Sequence, residues 1–317
     1  MPNLFANLVF FSWPLVVFWL ASKYPTKQAI FLAFTLAILY LPNSFSIDLP
    51  LVPPIDRETM TSLSLLIILF STGKKFRVFT PGLATKLIIG YFVVIILSCE
   101  LNADPTLIGG RFLPGLTHYD ALSSVIRMYL WMMPFFLGRY FINSVKDNEA
   151  IFKMLVMMGL IYTPFMLIEL RMSPQFHNWI YGYSNVDFMQ QMRGDGYRPT
   201  VFYGHGLGLA FWVSTCVIAA LALQKNKVKL TVLSTSKIVA YLIVILILCK
   251  TWSAMIYVLF AMLLIYRLKP VKQIKWCLLL AALVFLYPVT KTMGVFPDRA
   301  IVSTIQPYSE EIGRAHV

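Results

Sequence analysis

Ten long runs of apolar residues, each long enough or nearly long enough to cross a lipid bilayer, dominate this chain. Apolar residues make up 58% of the chain and charged residues 13%, whereas soluble domains have about 45–50% and about 25%. The runs are continuous, which excludes the alternating pattern of a transmembrane β-barrel. The sequence therefore predicts an all-α membrane protein, a polytopic bundle of about ten transmembrane helices within residues 1–290. The runs lie at about 4–21, 28–42, 59–72, 83–100, 121–141, 153–169, 206–223, 238–250, 254–266 and 276–290.

The basic residues are unevenly distributed between the loops. The net charge is +13, but the positive residues form short clusters between apolar runs, a pattern that argues against nucleic-acid binding. One set of alternate loops holds clusters such as 74–77 and 225–229, with only Asp147 and Glu149 as acids. The opposite loops and helix ends hold the other twelve of the fourteen acidic residues. The lysine-rich loops are therefore predicted to be cytoplasmic and loop 169–205 to face outward.

Loop 169–205 is a long polar and aromatic stretch between two apolar segments, with three arginines, two histidines and three carboxylates. In this loop Arg193 and Arg198 flank a glycine-rich turn. Arginine binds phosphate with a planar fork of donors and keeps its charge. Two arginines near the start of the next helix, whose N–H groups also favour anions, predict a cradle for a diphosphate. Binding to lipid headgroups, or pairing with Asp187 and Asp195, is the alternative.

His205 stands at the predicted start of the next helix. It is a candidate for hydrogen bonding to a substrate or for proton transfer near neutral pH, with a satisfied interfacial histidine as the alternative. Gly204 and Gly208 beside it form a small-xxx-small pair, which favours close helix packing whatever the ligand. Arg127 lies a few residues inside an apolar segment and is a further candidate for substrate binding. Snorkelling of Arg127 to the interface is the alternative.

Other polar and aromatic residues near this loop have ordinary structural explanations. Glu169 and Arg171 end the sixth apolar segment and are placed to pair with one another. Lys250 and Ser253, at the turn between the eighth and ninth segments, offer a further polar contact. The aromatic residues of the loop are typical of an interfacial belt, with stacking against sugars as the alternative: Phe176, Trp179, Tyr181 and Tyr183.

Several catalytic motifs are absent from the sequence. It contains no Walker A loop, no H-E-x-x-H and no nucleophile elbow. The four cysteines include no C-x-x-C pair, and this argues against a metal site or a disulfide framework. We therefore expect no metal and no cofactor, and the sequence identifies no catalytic residue.

Three stretches of the chain resemble the bacterial O-antigen polymerase and O-antigen ligase superfamily, and in particular its exopolysaccharide-polymerase-like members. They are PFFLGR at 134–139, MSPQFHNWIYGY at 172–183 and QQMRGDGYRPTVFYGHGLGLAFW at 190–212. The resemblance is specific around 172–212 and is one of hydropathy elsewhere between 40 and 290. It implies a GT-C-like fold and a multi-pass protein of the bacterial inner membrane whose long loops are periplasmic.

The resemblance also implies an activity and its partners. The expected enzyme is of the hexosyltransferase type and transfers an undecaprenyl-diphosphate-linked glycan, on the periplasmic face, to a hydroxyl of a second lipid-linked glycan or of lipid A core. Its partners are this glycan, membrane lipid and other membrane proteins of polysaccharide assembly, with no nucleic acid. Periplasmic arginines of the family hold the diphosphate, and Arg193 and Arg198 match the first arginine-bearing loop. Arg127 and His205 are substrate-binding candidates from their positions alone.

The end of the chain departs from the family. Residues 312–317 read IGRAHV, which resembles the translation of a common sequencing adapter, so we expect the natural protein to continue beyond Glu311. Residues 291–311 then begin a further periplasmic loop. The second arginine-bearing loop of the family, and the proposed catalytic histidine of its ligases, would lie beyond that point. His205 is therefore not equated with that histidine, and this fragment is expected to be catalytically incomplete.

The alternative function is that of a non-catalytic transporter or flippase of lipid-linked oligosaccharide. A flippase needs a cationic cavity through the membrane, whereas a transferase needs charge concentrated at one face. The basic residues predicted within spans are Arg127 and Lys86. This distribution favours the transferase.

Overall fold

The computed structural model describes residues 2–49, 52–74, 76–184, 186–193, 196–230, 234–297 and 303, without the side chains of residues 108, 111 and 193. Of the two predicted C-terminal segments, 312–317 lies outside the described residues. Within 291–311, only residues up to 297 and residue 303 are described. The chain divides into two compact units, Met1–Val258 and Leu259–Val317, and each is considered by itself.

Each of the ten apolar runs coincides with helix. The run at 121–141 is split at Met132, because Pro134 lies in the first turn of the second helix, where its missing N–H and fixed φ are tolerated. The helices are α1 (Leu4–Lys23), α2 (Thr26–Tyr40), α3 (Arg57–Ser71), α4 (Leu83–Leu101), α5 (His118–Trp131), α6 (Met133–Phe141), α7 (Val145–Met172), α8 (Phe176–Tyr181), α9 (Phe188–Gln191), α10 (Gly206–Lys225), α11 (Thr235–Leu248), α12 (Trp252–Arg267) and α13 (Pro270–Thr292). Two short antiparallel hairpins complete the described chain, β1 (Thr106–Ile108) with β2 (Arg111–Leu113) and β3 (Met192–Arg193) with β4 (Gly196–Tyr197).

Six helical segments of the described chain are long and apolar enough to cross a membrane: α1, α4, the α5–α6 pair, α7, α10 and α13. Three shorter apolar helices, α2, α11 and α12, accompany them. Their length and composition support an all-α membrane protein. The number of helices that cross the membrane, and a GT-C-like arrangement, stay predictions.

Polar caps fix where several helices begin. In α3, α5 and α7 the residue before the helix and the third helical residue exchange hydrogen bonds, so that both the side chain and the backbone at the helix start are satisfied. The three pairs are Asp56 with Thr59, Thr117 with Asp120, and Ser144 with Asp147.

The helices of the first unit pack in connected groups. Helices α1, α2, α3 and α6 share a core that includes Trp13, Ala33 and Met133. Helices α7, α10 and α11 pack together, and α4 packs against α5. Where α7 meets α10, a Cβ on Gly159 would lie 3.1 Å from Cys216 Sγ, so a small residue permits the close approach.

Loop-to-loop contacts of the first unit fall into two sets, at opposite ends of the helices. At one end Asn3, which caps α1, donates its backbone N–H to Tyr181 O (3.0 Å) and its side-chain amide to Ile180 O (2.8 Å). At the other end Lys27 and Asp147, at the starts of α2 and α7, form an ion pair of 2.7 Å. We call these the α8 end and the Lys27 end. Helix α1 therefore starts at the α8 end, and α2 and α7 start at the Lys27 end.

In the second unit the start of α13 is bound to the end of α12. Gln273 Nε2 donates to the carbonyls of Leu264 and Leu268, each at 3.0 Å. The rings of Phe260 and Trp276 meet edge to face with their centroids 6.3 Å apart. No described residue of α13 is buried, so its apolar surface is free to face lipid.

Candidate functional site

A single buried carboxylate organises the loop that follows α7. Glu169 is 1% exposed, and its Oε2 accepts hydrogen bonds from the backbone N–H groups of Thr200 and Val201, each at 2.7 Å. Its Oε1 accepts from the backbone N–H of Phe176 at 3.0 Å. The predicted pairing of Glu169 with Arg171 is wrong. Arg171 is exposed, whereas the Glu169 carboxylate turns inward and joins the starts of two loop segments.

Two further buried side chains hold the next residue of the loop. The hydroxyl of Tyr162 accepts from the backbone N–H of Phe202 at 3.2 Å and donates to Leu39 O at 3.0 Å. Arg57, the first residue of α3, donates from Nη1 to Phe202 O at 3.4 Å and to Ile38 O at 3.2 Å. The backbone of residues 200–202 is thus bound by side chains from α3 and α7, which makes it a fixed platform at the α8 end.

Arg198 lies inside the protein against the start of α10. It is 2% exposed, and its side chain fills the space over Gly206: a Cβ there would lie 2.3 Å from Arg198 Cδ. Buried Gln191 completes the contact, because its carbonyl accepts from the backbone N–H of Arg198 (2.8 Å) and its Oε1 from that of Gly206 (3.3 Å). Arg198 thus lies beside the N-terminus of α10 as part of the packed interior.

The turn between α11 and α12 brings a lysine to the same place. Arg198 Nη2 donates to Lys250 O at 3.2 Å, and Lys250 has a left-handed backbone with φ of 50°. A Cβ on Gly196 would lie 2.7 Å from Lys250 Nζ, so the glycine leaves room for the ammonium group. Arg193 pairs with Gly196 in the β3–β4 register, and its side chain lies outside the described part of the structure. Arg198 and Lys250 therefore meet, with the backbone of Arg193 next to them.

His205 is the residue that precedes α10, and its ring caps the helix. Its Nδ1 accepts from the backbone N–H of Leu207 at 3.1 Å, so a neutral His205 carries its proton on Nε2. The glycines beside it do not form the predicted helix-packing pair. Gly204 has φ of 93° in the preceding turn, where a Cβ would meet Asn43, and Gly208 faces the ring of Tyr203.

The fourth candidate, Arg127, lies away from this cluster. Its Nη2 bonds Asp56 Oδ2 at 3.2 Å, and its guanidinium carbon stands 4.8 Å from the ring centre of Trp131, which also donates from Nε1 to the Asp56 carboxylate. The structure thus brings together Arg198, His205 and the backbone of Arg193, whereas Arg127 belongs to a separate site on α5.

His177 is a second buried polar centre of the α8 end. Its Nε2 accepts from the backbone N–H of Asn43 at 3.1 Å, and its Nδ1 donates to Tyr183 O at 2.8 Å, which requires a neutral ring with the proton on Nδ1. Burial lowers the pKa of His177, and Arg57 adds to this, while the bond to Tyr183 O acts in the opposite direction. His177 therefore joins the chain after α2 to the chain after α8.

The aromatic residues of the loop are mostly structural. The hydroxyl of buried Tyr181 donates to the carbonyl of Tyr40, and that of Tyr183 donates to Asn43 O at 2.7 Å. Burial raises the pKa of each of these two tyrosines to about 12. Trp179 is exposed, as a belt residue would be. Stacking on sugars is therefore open to Trp179 and closed to Tyr181.

The sequence alone did not identify Arg57 and Tyr162, which hold the platform, or His177, and it predicted a different partner for Glu169. The position of Glu169 at the end of an apolar segment could have predicted its role, because a carboxylate buried there needs several hydrogen-bond donors. Among the described residues no group of three or more His, Cys, Asp or Glu could hold a metal ion. No protein-family model, curated protein or solved structure matches the chain.

Proposed function

We propose that this chain is part of a membrane glycosyltransferase that polymerises or ligates undecaprenyl-diphosphate-linked glycans, with the α8 end facing the periplasm of a bacterial inner membrane. The observation that carries the proposal is the convergence of Arg198, Lys250 and the N-terminus of α10. A guanidinium, an ammonium group and the positive end of a helix dipole all favour an anion. The resemblance of residues 172–212 to the polymerase and ligase superfamily points to a lipid diphosphate as that anion.

The distribution of buried charge favours a transferase over a flippase. The buried charged side chains of the described chain are Arg57, Glu169 and Arg198. All three contact residues 200–202 or the adjacent turn at the α8 end. A flippase would need cationic groups along the whole path across the membrane. Buried charge that is confined to the α8 end suits a transferase that acts at that surface of the membrane.

The transfer step requires little covalent chemistry from the protein. The acceptor hydroxyl oxygen forms a bond to the anomeric carbon of the donor glycan, and the bond from that carbon to the phosphate oxygen breaks. The diphosphate leaves with the electron pair of that bond, and the hydroxyl proton passes to a general base, a role that we assign to no residue. Cations beside the leaving group stabilise the charge that develops on it. We assign this role to Arg193 and Lys250, and we assign to buried Arg198 the positioning of the Lys250 turn.

In the proposed site His205 acts as a hydrogen-bond donor. Its Nδ1 is engaged by the backbone N–H of Leu207, so the neutral ring presents an N–H at Nε2 and no lone pair there. That tautomer suits a phosphate or sugar oxygen as the partner. It does not suit removal of a proton from the acceptor, so proton transfer by His205 is not part of the proposal.

The test uses the purified protein, reconstituted in liposomes with a polyprenyl-diphosphate-linked oligosaccharide. Longer lipid-linked glycans and free polyprenyl diphosphate are the expected products. Arg193→Ala and Lys250→Ala should each slow glycan extension about tenfold or more, since each removes a charge-assisted contact. Lys250→Arg should retain more activity than Lys250→Ala, because the charge is kept.

Arg171→Ala is the matched control, because Arg171 is an exposed arginine of the same loop outside the cluster. Its rate should stay close to that of the wild type. At the buried position the substitution tested is Arg198→Lys. Lysine keeps the positive charge but lacks the planar fork of donors that a guanidinium has. Glycan that crosses the bilayer without a new glycosidic bond would identify a flippase. Extension at the wild-type rate in Arg193→Ala and Lys250→Ala would rule out the anion site.

A further inference from the structure

A cavity of about 430 Å³ lies between α4 and α5, apart from the Arg198 cluster. Small-molecule sites in proteins typically have volumes of about 300–1,000 Å³. The cavity is mainly apolar, with two serine hydroxyls and one cation. Its walls include Val94, Ile95 and Ser98 of α4 and Ser124, Arg127 and Met128 of α5.

Arg127 gives this cavity a polar anchor. Its Nη2 bonds Asp56 Oδ2 at 3.2 Å, and its guanidinium stacks on Trp131. The side chain is 42% exposed, so its guanidinium still offers N–H groups to an acceptor oxygen.

The walls of the cavity indicate the kind of molecule that brings this oxygen. Both walls belong to candidate spanning helices, and only 11% of the α4 window is buried within the protein. A cavity between two such helices borders the hydrocarbon of the bilayer. Val94, Ile95 and Met128 offer it an apolar surface, which suits a hydrocarbon chain and disfavours ordered water.

We propose that this cavity binds a membrane phospholipid, with one acyl chain between α4 and α5 and an ester carbonyl or phosphate oxygen accepting from the exposed part of the Arg127 guanidinium. The Asp56 carboxylate beside the guanidinium disfavours a free anion such as inorganic phosphate, because it offsets the positive charge of Arg127. A phospholipid gains most of its binding from the apolar wall and needs only one hydrogen bond at the cation. The lipid would thereby fix α5 next to the start of α3, which Asp56 caps.

The test is native mass spectrometry of the full chain, purified in mild detergent and incubated with phosphatidylglycerol. The wild type should retain a phospholipid through delipidating washes. Ser124→Trp fills the cavity from α5 and should lower lipid retention about tenfold or more. Leu122→Trp is the matched control: it adds the same ring to an exposed position of the same helix that does not line the cavity. Its retention should equal that of the wild type.

Arg127→Met keeps an apolar stem and removes the donors, so it should weaken retention while leaving the cavity open. Equal retention in the wild type, Ser124→Trp and Arg127→Met, or no retained phospholipid in the wild type, would overturn the proposal. A second measurement uses the wild-type protein and a phospholipid with a photoreactive acyl chain. Its result does not depend on whether a variant folds. The crosslinks should map to 91–99 and 124–131, and crosslinks only elsewhere would also overturn the proposal.

Discussion

The side chain of Arg198 occupies the space in which a Cβ atom of Gly206 would stand, 2.3 Å from Arg198 Cδ. Because Arg198 is buried, it has little room to move away. We therefore expect Gly206→Ala to lower the free energy of unfolding by about 1–3 kcal/mol, as overpacking does. Denaturant or thermal unfolding in detergent measures the change.

Gly90→Ala provides the control for this substitution. Gly90 lies within α4, and a Cβ there would meet nothing within 4 Å. Since alanine is the better helix former, Gly90→Ala should leave stability unchanged or raise it by up to about 1 kcal/mol. Equal effects of the two substitutions would show that Arg198 does not need the space over Gly206.

Glu169→Gln tests the carboxylate that holds the platform. The amide replaces one of two oxygens that together accept three backbone N–H groups. A buried donor then loses its acceptor, and the free energy of unfolding should fall by about 1–3 kcal/mol. Glu149→Gln is the control on the same helix, because Glu149 forms a surface pair with Lys153. Its effect should stay within about 0.5 kcal/mol, and a similar loss in both variants would contradict the assigned role of Glu169.

His177 should make the stability of the α8 end depend on pH. Its pKa is lowered in the folded protein from the ordinary value of 6.5, so the unfolded chain takes up the proton first as the pH falls. The stability that neutral His177 contributes is complete above pH 6.5 and is lost progressively below it. Unfolding measured between pH 8 and pH 5, for the wild type and His177→Gln, should show a steeper loss in the wild type.

His118→Gln is the control for the pH experiment, because His118 is an exposed histidine at the start of α5. It should keep the pH dependence of the wild type. If His177→Gln keeps that dependence as well, the neutral bridge between Asn43 and Tyr183 is not its source.

The orientation of the helices can be tested with single cysteines. Ser184 and Lys146 are exposed residues of the α8 end and the Lys27 end, respectively. In a background with Cys277→Ala, which removes the exposed native thiol, a membrane-impermeant maleimide added to spheroplasts should label Ser184→Cys and spare Lys146→Cys. Labelling of Lys146→Cys alone would place the α8 end in the cytoplasm and remove the basis of the proposed function.

The helices could be predicted from the sequence because their apolar runs are continuous and because a spanning segment must satisfy its own backbone. Even the break in the fifth run has a local cause in Pro134. The hydrogen bonds of Glu169 could not be predicted, since two of their donors, Thr200 and Val201, lie 31 and 32 positions away in sequence and reach it only after folding. The same holds for the burial of Arg198 and Tyr181. Hydropathy places these residues in a polar loop, and tertiary contacts decide which of them lie inside it.

The contact between Asn3 and Ile180 has a consequence for the order in which the protein assembles. The two residues are 177 positions apart, and at about 5–20 residues per second the ribosome needs roughly 10–35 seconds to make the chain between them. The first helix is thus synthesised well before its partner exists. The N-terminus must wait for α8 to be synthesised, so closure of the α8 end is a late step in folding.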